Sequence, residues 1–394
     1  MVIVGAGPAG VRAAQTLLRY GVRPTVIDEA PLPGGQIYRQ GAIARGSARE
    51  RYGFEWRKAR SIHAAGAELA AQADYRPCTA VWNASPGLLD LVREGELDTL
   101  PYTHLLLATG ATDRVLPFAG WTLPGVYSLG GAQIALKGQH CLLGPRILFA
   151  GSGPLLYLVA YQYARAGGRV QAVLDYGSRA SQAKALPALM NQAGTLAKGL
   201  YYLGWLRARG IPVFHAARID AALGAGRVET VRAIVEGAAV EFACDVLAVG
   251  HGLRSETQLA DLLDCAFDFD DAQRAWLPRR DAEGRSTVAG VYLAGDGAGI
   301  AGAAFAEQRG SAPRWPCSPT MASPLTARVY ARWRASSAAW RVSGKAWTAP
   351  SRCRRPRRPV ATRSSSAAAR KFAPALCAPP PVNMTSTISI GSRR

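Results

Sequence analysis

The chain has 394 residues, room for two or three domains, and hydrophobic residues make up 49% of it, so a large core is available. Its formal charge of +20 is unevenly spread: up to Glu307 there are 30 basic and 27 acidic residues, whereas residues 308–394 carry 17 Lys and Arg and no acid. The fold is therefore near neutral, which argues against a nucleic-acid partner for it, and the basicity belongs to a tail.

Val2-Ile3-Val4 reads as a buried parallel strand, and residues 11–20 read as the helix after it, closed by Gly21. Between them stands Gly5-Ala6-Gly7-Pro8-Ala9-Gly10. In this layout Gly5 permits a tight turn, Gly7 lets the backbone approach a pyrophosphate, Pro8 opens the helix, and Gly10 lets helix and strand pack closely. The free N–H groups at the helix start then face the phosphates, backed by the positive end of the helix dipole. The next apolar run, Thr25-Val26-Ile27, ends in Asp28-Glu29, where a dinucleotide fold places the carboxylate that binds the adenosine ribose. Either acid stands at the strand end; Asp28 falls at the expected offset.

A turn-rich segment follows at residues 31–40, with Gly34-Gly35 just ahead of Gln36, Tyr38 and Arg39. Residues 54–75 read as an Ala-rich helix, Thr79-Ala80-Val81-Trp82 as a strand, and residues 88–92 with Tyr102 as a small antiparallel unit. The apolar strand at residues 103–107 ends in Ala108-Thr109-Gly110, small residues that let a strand end abut a nucleotide or a crossing linker. Pro117, Gly120, Pro124 and Gly125 mark a linker.

Beyond it the opening pattern repeats: Ile147-Leu148-Phe149-Ala150 leads into Gly151-Ser152-Gly153-Pro154-Leu155-Leu156, a helix at 155–166, and a strand ending in Asp175. Leu156 stands where the third glycine is expected, so two outcomes stay open: an NAD(P) site, or a retained fold with a narrowed or empty site. Residues 181–209 read as helical; 212–214, 228–235 and 244–249 read as strands, the last ending in Gly250-His251-Gly252, where His251 reads as a turn residue. The strand at residues 288–293 ends in Gly295-Asp296-Gly297, which aims N–H groups and a carboxylate at a polyol or phosphate. With the opening motif, this points to FAD rather than NAD in the first domain.

Seven scattered cysteines without a C-x-x-C pair argue for a reducing compartment, buried thiols and a cytoplasmic protein. No run of 18 apolar residues predicts a transmembrane segment, the histidines form no metal-ligand spacing, and the chain begins almost inside its first strand, as if the true start lay slightly upstream.

Over residues 1–307 the chain resembles the two-dinucleotide-domain flavoproteins of the pyridine nucleotide-disulfide oxidoreductase type. Gly34-Gly35-Gln36-Ile37-Tyr38-Arg39, Ala108-Thr109-Gly110-Ala111, Gly120-Trp121-Thr122-Leu123-Pro124-Gly125-Val126 and Gly295-Asp296-Gly297 are similar to one branch of it. That branch comprises the larger flavoprotein subunits of hydrogen cyanide synthase, opine oxidase and heteromeric hydroxyproline or amine dehydrogenases. The resemblance implies an α/β fold: a three-layer, Rossmann-like FAD-binding domain (1–118 and 253–308) interrupted by an NAD(P)-type Rossmann-like domain (119–252). It implies that Gly5, Gly7, Pro8, Gly10 and Asp28, with Glu29 beside it, hold the ADP half of FAD, and that Gly35 and Gln36 lie toward the flavin. Val81, Thr109 and Gly110 would line the site, Gly295 and Asp296 would bind the ribityl chain or pyrophosphate, and Gly151, Gly153 and Asp175 would serve NAD(P). No paired cysteines are available for dithiol exchange and no catalytic base stands out, which favours an electron-transferring subunit. Its expected partners are a second flavoprotein subunit and a small iron–sulfur protein, and its expected substrate is a small amine or imino acid. A stand-alone NAD(P)H-dependent flavin reductase is the other enzymatic reading.

Past Gln308 only nine of residues 309–394 are Leu, Ile, Val or Phe, too few to offset the ordering of a backbone, so disorder is expected. Three readings of the tail stand: a basic arm for nucleic acid or acidic lipid, a solvated extension, or the product of a shifted reading frame that leaves a truncated, non-functional protein. Cys317, Cys353 and Cys377 are too far apart to reproduce the branch's C-terminal iron–sulfur cluster, so none is expected in this chain.

Overall fold

A computed structural model of the chain describes residues 1–41, 47–178 and 193–300. The first stretch runs β1 (Val2–Val4), α1 (Pro8–Arg19), β2 (Thr25–Ile27), α2 (Ala48–Tyr52), α3 (Trp56–Gln72) and β3 (Asp74–Arg76). A meander of β4 (Thr79–Ser85), β5 (Leu88–Arg93) and β6 (Glu96–Pro101) leads to β7 (Leu105–Leu107). The middle stretch opens with β8 (Ala111–Asp113), β9 (Val126–Ser128), α4 (Leu129–Gly138), β10 (Arg146–Gly151), α5 (Pro154–Arg165), β11 (Arg169–Asp175) and α6 (Ala193–Ala208). It continues with β12 (Val213–His215), a second meander of β13 (Arg218–Leu223), β14 (Thr230–Val235) and β15 (Ala238–Ala243), and β16 (Val246–Gly250). The chain returns through β17 (Leu253–Ser255), α7 (Gln258–Leu262), a hairpin of β18 (Phe267–Asp270) and β19 (Ala275–Pro278), and β20 (Val291–Leu293).

These elements make two parallel five-stranded sheets, ordered β20-β7-β1-β2-β3 and β12-β11-β10-β16-β9. The first sheet takes β20 from beyond the whole second sheet, so it is discontinuous in sequence. Both sheets are covered in the same way. Successive side chains of β1 face opposite sides: Ile3 packs with Val11, Leu17 and Leu69 of α1 and α3, while Val2 and Val4 pack with Leu89 and Leu91 of the first meander and Leu259 of α7. In the second sheet Ile147 and Phe149 meet Leu156, Val159 and Tyr163 of α5, and Leu148 and Ala150 meet Val231 and Ala233 of the second meander. Each half is therefore helices, parallel sheet and antiparallel meander, a three-layer arrangement with both sheet faces buried.

The crossover between the halves is an antiparallel pair, β8 with β17, in register Ala111↔Ser255. Two expectations need correction. The helix read over 54–75 begins with a 3-10 turn at Gly53–Glu55 and stops at Gln72, because Asp74–Arg76 pairs with β2 as the edge strand of the first sheet. Of the four described cysteines only Cys244 and Cys265 are buried; Cys78 and Cys141 are exposed. The helix read over 181–209 is described from Ala193 to Ala208. The remainder of it, residues 301–308 and the whole tail lie outside the described residues.

Candidate nucleotide sites

At the first turn, Gly5 has φ +102°, and a Cβ there would stand 2.3 Å from the Ala108 carbonyl oxygen; a Cβ at Gly10 would stand 1.8 Å from the Gly5 oxygen. Backbone packing thus requires both glycines. Gly7 differs. Its φ of −70° suits any residue, and a Cβ there would find only the Gly35 Cα at 3.8 Å. Among the described residues nothing forbids a side chain at Gly7, and the surface it leaves bare lies at the start of α1, whose first turn has no side-chain cap. One flank is covered by the 31–40 segment: Gly34 N–H donates to the Ala6 oxygen at 2.8 Å, and a Cβ on Gly35 would stand 2.9 Å from the Gly7 Cα. Gln36, exposed, accepts from the Arg39 guanidinium at 3.0 and 3.2 Å.

Asp28 is the acid that the fold ties to this turn. One carboxylate oxygen accepts from the Ala6 N–H and the other from the Ala30 N–H at 2.7 Å, while Glu29 is exposed. Burial pushes the Asp28 carboxyl above the usual carboxylate range, against the lowering effect of the two N–H donors and of Arg39. Each oxygen retains acceptor capacity for a ribose hydroxyl.

The remaining sequence-selected residues fall in two places. Val81 is half-buried on β4 and packs into the core beneath the first sheet, two residues beyond Thr79, whose N–H donates to the Asp28 carbonyl at 3.0 Å. Thr109 and Gly110 gather with Asp296 at the crossover. Thr109 Oγ1 donates to the Glu256 carbonyl at 2.7 Å, Glu256 N–H donates to the Gly110 carbonyl at 3.0 Å, and Ser255 Oγ donates to the Asp296 carbonyl at 2.6 Å. Of the two roles open to the Ala-Thr-Gly ending, holding the linker is the one these bonds perform. Gly295, with φ +69°, opens the short 3-10 turn Gly295–Ala298 that carries the half-buried Asp296.

The second turn shares the plan and differs in its bonds. The register pairs Val4 with Ile27 and Gly151 with Asp175, so Asp175 is the positional counterpart of Asp28; a register shift at Ile147/Leu148 absorbs the one-residue difference in spacing. Ser152, the counterpart of Ala6, gives its N–H to the Gly250 carbonyl at 3.0 Å instead of to the acid. Asp175, only 3% exposed, accepts from the Tyr157 hydroxyl at 2.5 Å and from Gly177 N–H at 2.8 Å, with His215 Nδ1 at 3.4 Å. Leu156 is fully buried in one cluster with Ile147 and Phe149 of the sheet, and Gly153 at the helix cap takes φ +85° where Gly7 takes −70°. Open space remains around Gly153, where a Cβ would meet nothing within 4 Å. His251 packs at 5.5 Å from the Tyr176 ring as a turn residue. Among the described residues no group of His, Cys, Asp and Glu is arranged to hold a metal.

Residues 1–318 match the pyridine nucleotide-disulphide oxidoreductase family. The chain belongs to that family. Its members are FAD-binding oxidoreductases that use nicotinamide nucleotides, and the bare face at Gly7, the uncapped start of α1 and the tethered Asp28 fit an FAD diphosphate and ribose. Among its relatives, an opine oxidase subunit of Agrobacterium tumefaciens is 35% identical over 324 residues, covering 79% of this chain and 63% of the relative. Hydrogen cyanide synthase subunit HcnB of Pseudomonas aeruginosa is 36% identical over 313 residues, covering 76% of this chain and 67% of the relative. The chain thus spans just under two thirds of the length of the first. The crystal structure of L-proline dehydrogenase from P. horikoshii has the same fold, with a TM-score of 0.57 at 19% identity over 79% of this chain and 53% of that one.

What sequence reasoning missed is α4. No spacing signal marked Leu129–Gly138 as a helix, and its last turn carries Lys137, a lysine only 8% exposed.

Proposed function

We propose that this chain is the FAD-binding subunit of a heteromeric dehydrogenase that oxidises a C–N bond of a small amine or imino acid, in the class of opines, hydroxyproline or glycine. The observation that carries this reading is the inequality of the two turns: the first leaves its acid tethered by main-chain N–H groups beside a bare glycine face, and the second uses its acid internally. Relatives named as subunits of opine oxidase, hydrogen cyanide synthase and sarcosine oxidase support a multi-subunit setting. A second flavoprotein subunit and a small iron–sulfur protein are the proposed partners. None of the described helices is long and apolar enough to cross a membrane, and we place the complex in the cytoplasm.

In this reading the α1 start with Gly5, Gly7, Pro8 and Gly10 holds the diphosphate, Asp28 holds the ribose, and Gly35, Gln36, Gly295 and Asp296 flank the rest of the cofactor. Bound FAD supplies the two-electron chemistry. The chain's own residues bind it and orient it, while Thr109 and Ser255 tie together the strand ends and the crossover of the same half.

The open space at Gly153 favours a second reading, a stand-alone NAD(P)H-dependent flavin reductase. Anaerobic mixing separates the two. The subunit reading expects yellow protein that NADH and NADPH bleach slowly, and that a small imino acid or opine bleaches once the co-expressed partner is present. Rapid bleaching by NADH alone overturns it in favour of the reductase, and colourless protein after incubation with excess FAD overturns both. For the tail, the family match stops at residue 318, close to Gln308, where the acids cease. We read it as a shifted frame, which sequencing the coding DNA tests by the presence or absence of an acid-containing helix in another frame.

A further inference from the structure

We propose that the aromatic face where the turn before α3 meets α6 docks the second flavoprotein subunit, through a surface of that subunit that carries carboxylates around an apolar centre; the inference rests on the heteromeric reading above. Phe54, in the Gly53–Glu55 turn, meets Tyr201 of α6 edge-on with ring centroids 5.2 Å apart, and Tyr202 at 6.2 Å. Tyr161 of α5 packs at 4.9 Å from Tyr202 and 4.8 Å from Trp205. Tyr161 and Tyr202 are buried and make the floor of the cluster, whereas Phe54, Leu200 and Tyr201 are 54%, 60% and 45% exposed. Neighbouring apolar side chains left this open, inside a charged rim, mark a surface made to be covered.

The rim is cationic and held in place. Glu55 pairs with Lys198 and, at 3.2 Å, with Lys58. Arg57 and Arg60 lie over the Trp56 ring at 5.3 and 5.8 Å, Arg165 over Tyr161 at 5.6 Å, and Arg209 over Trp205 at 4.6 Å. Residues 53–60, α5 and residues 193–209 together carry seven of the 30 basic residues that precede Gln308 and one of the 27 acids. Charge therefore decides the occupant. The stretches of this chain outside the described residues, 42–46, 179–192 and 301–394, hold 20 basic residues and a single acid, Glu307, so none of them complements this rim. A second copy seated on the same face about a two-fold axis would set cations against cations. A protein surface bearing carboxylates answers the charge, and the order of the rim favours it over an anionic lipid layer: guanidinium groups already held on rings lose little freedom when they meet carboxylates of fixed position. Tyr, Trp and Arg are also the residues that carry most of the binding energy in protein interfaces.

The test measures binding of the full chain to the second flavoprotein subunit, encoded beside it and purified separately, at low and at high salt. Phe54→Ser/Tyr201→Ser removes the apolar centre, and Arg57→Gln/Lys58→Gln/Arg60→Gln removes part of the rim. All five positions are exposed, so both variants are expected to keep the wild-type melting temperature and flavin content. The first is expected to weaken the complex about 100-fold or more, as the loss of two central anchors implies. The second is expected to weaken it about tenfold at low salt and to flatten the salt dependence, since fewer charges are left to screen. Phe269→Ser/Trp276→Ser, at the exposed aromatic pair of the β18–β19 hairpin, is the control and should stay within about twofold. A complex that forms with wild type and is unchanged in both variants of this face overturns the proposal and leaves the heteromeric reading standing. No complex with wild type fails the heteromeric reading and, with it, this occupant. Sedimentation with phosphatidylglycerol vesicles, or dimerisation of the chain alone, that Phe54→Ser/Tyr201→Ser abolishes would then assign the face to lipid or to a second copy, and either result overturns the proposal.

Discussion

The two glycine turns start from nearly the same sequence and end as different devices. In the first, the acid at the end of the second strand reaches back to the turn, and Ala6 N–H fixes it there. In the second, the equivalent N–H turns to the neighbouring strand end at Gly250, and Asp175 is taken by Tyr157, Gly177 and the nearby His215. A glycine pattern therefore specifies a sharp strand-to-helix turn. Whether that turn binds a nucleotide depends on what else engages the acid.

The strongest way to break this comparison is to make the first turn like the second. In Gly10→Leu the new Cβ would fall 1.8 Å from the Gly5 oxygen, a clash with backbone that no rotamer relieves. We expect protein purified without flavin, a loss of affinity of about 100-fold or more given the several kcal/mol attached to overpacking. The converse change, Leu156→Ala, empties a fully buried site and should cost about 2–5 kcal/mol of unfolding free energy in denaturant titrations, with flavin content unchanged. If Leu156→Ala strips the flavin as thoroughly, the second turn is part of the cofactor site and the contrast fails.

A gentler change sharpens the contrast. Asp28→Asn should weaken FAD binding by about 10- to 100-fold, the value of charged hydrogen bonds to a ribose. Its effect on the flavin-free protein should be small, within about 1 kcal/mol, because the amide keeps one acceptor and removes a buried charge. The sign follows from the raised Asp28 pKa. The folded flavin-free protein favours the protonated carboxyl, so its stabilising contribution is complete below the ordinary carboxylate pKa and is lost as pH rises through the higher folded value. At neutral pH the charge is thus a burden on the flavin-free fold, offset in part by the Ala6 and Ala30 N–H groups and further by ribose hydroxyls in the proposed complex. Tyr157→Phe should behave the opposite way: about 1–3 kcal/mol less stable, since Asp175 loses its hydroxyl donor in a buried site, with FAD affinity unaltered. Equal flavin loss in both variants would dissolve the distinction.

These contrasts also mark what a sequence can and cannot disclose. Both turns, Asp28 and the first meander were legible because they are local: φ-positive glycines, a strand of three apolar residues and an acid at a fixed offset leave their mark in consecutive positions. The strand Asp74–Arg76 was hidden because it follows an Ala-rich helix without a breaker and takes its identity from pairing with β2. The role of Thr109 depends on Glu256, 147 positions away, and the burial of Asp175 depends on Tyr157 and His215 from other elements. Lys137 was invisible for the same reason, since a lysine in a polar-looking run gives no sign that the fold will enclose it.

The smallest expected effect tests the strand ends beside the two turns. In the second sheet the strand end serves the turn itself, through the Gly250 carbonyl; in the first, Ala108-Thr109-Gly110 serves the crossover, through the Thr109 hydroxyl on the Glu256 carbonyl at 2.7 Å. The hydroxyl lies 2.6 Å from where a Cβ on Gly297 would stand, so it also fills the space beneath the Gly295–Ala298 turn. Thr109→Val keeps that volume and deletes the bond, which should cost about 1 kcal/mol. In a fold of this size that shifts the melting temperature by roughly 2–4 °C. Thr109→Ser, which keeps the hydroxyl, should recover most of it. Flavin affinity should stay within about twofold in both, because the lost bond joins two parts of the chain. A loss of flavin in Thr109→Val comparable to that of Asp28→Asn would instead make the hydroxyl a cofactor contact, and the first strand end would then serve its turn as directly as Gly250 serves the second.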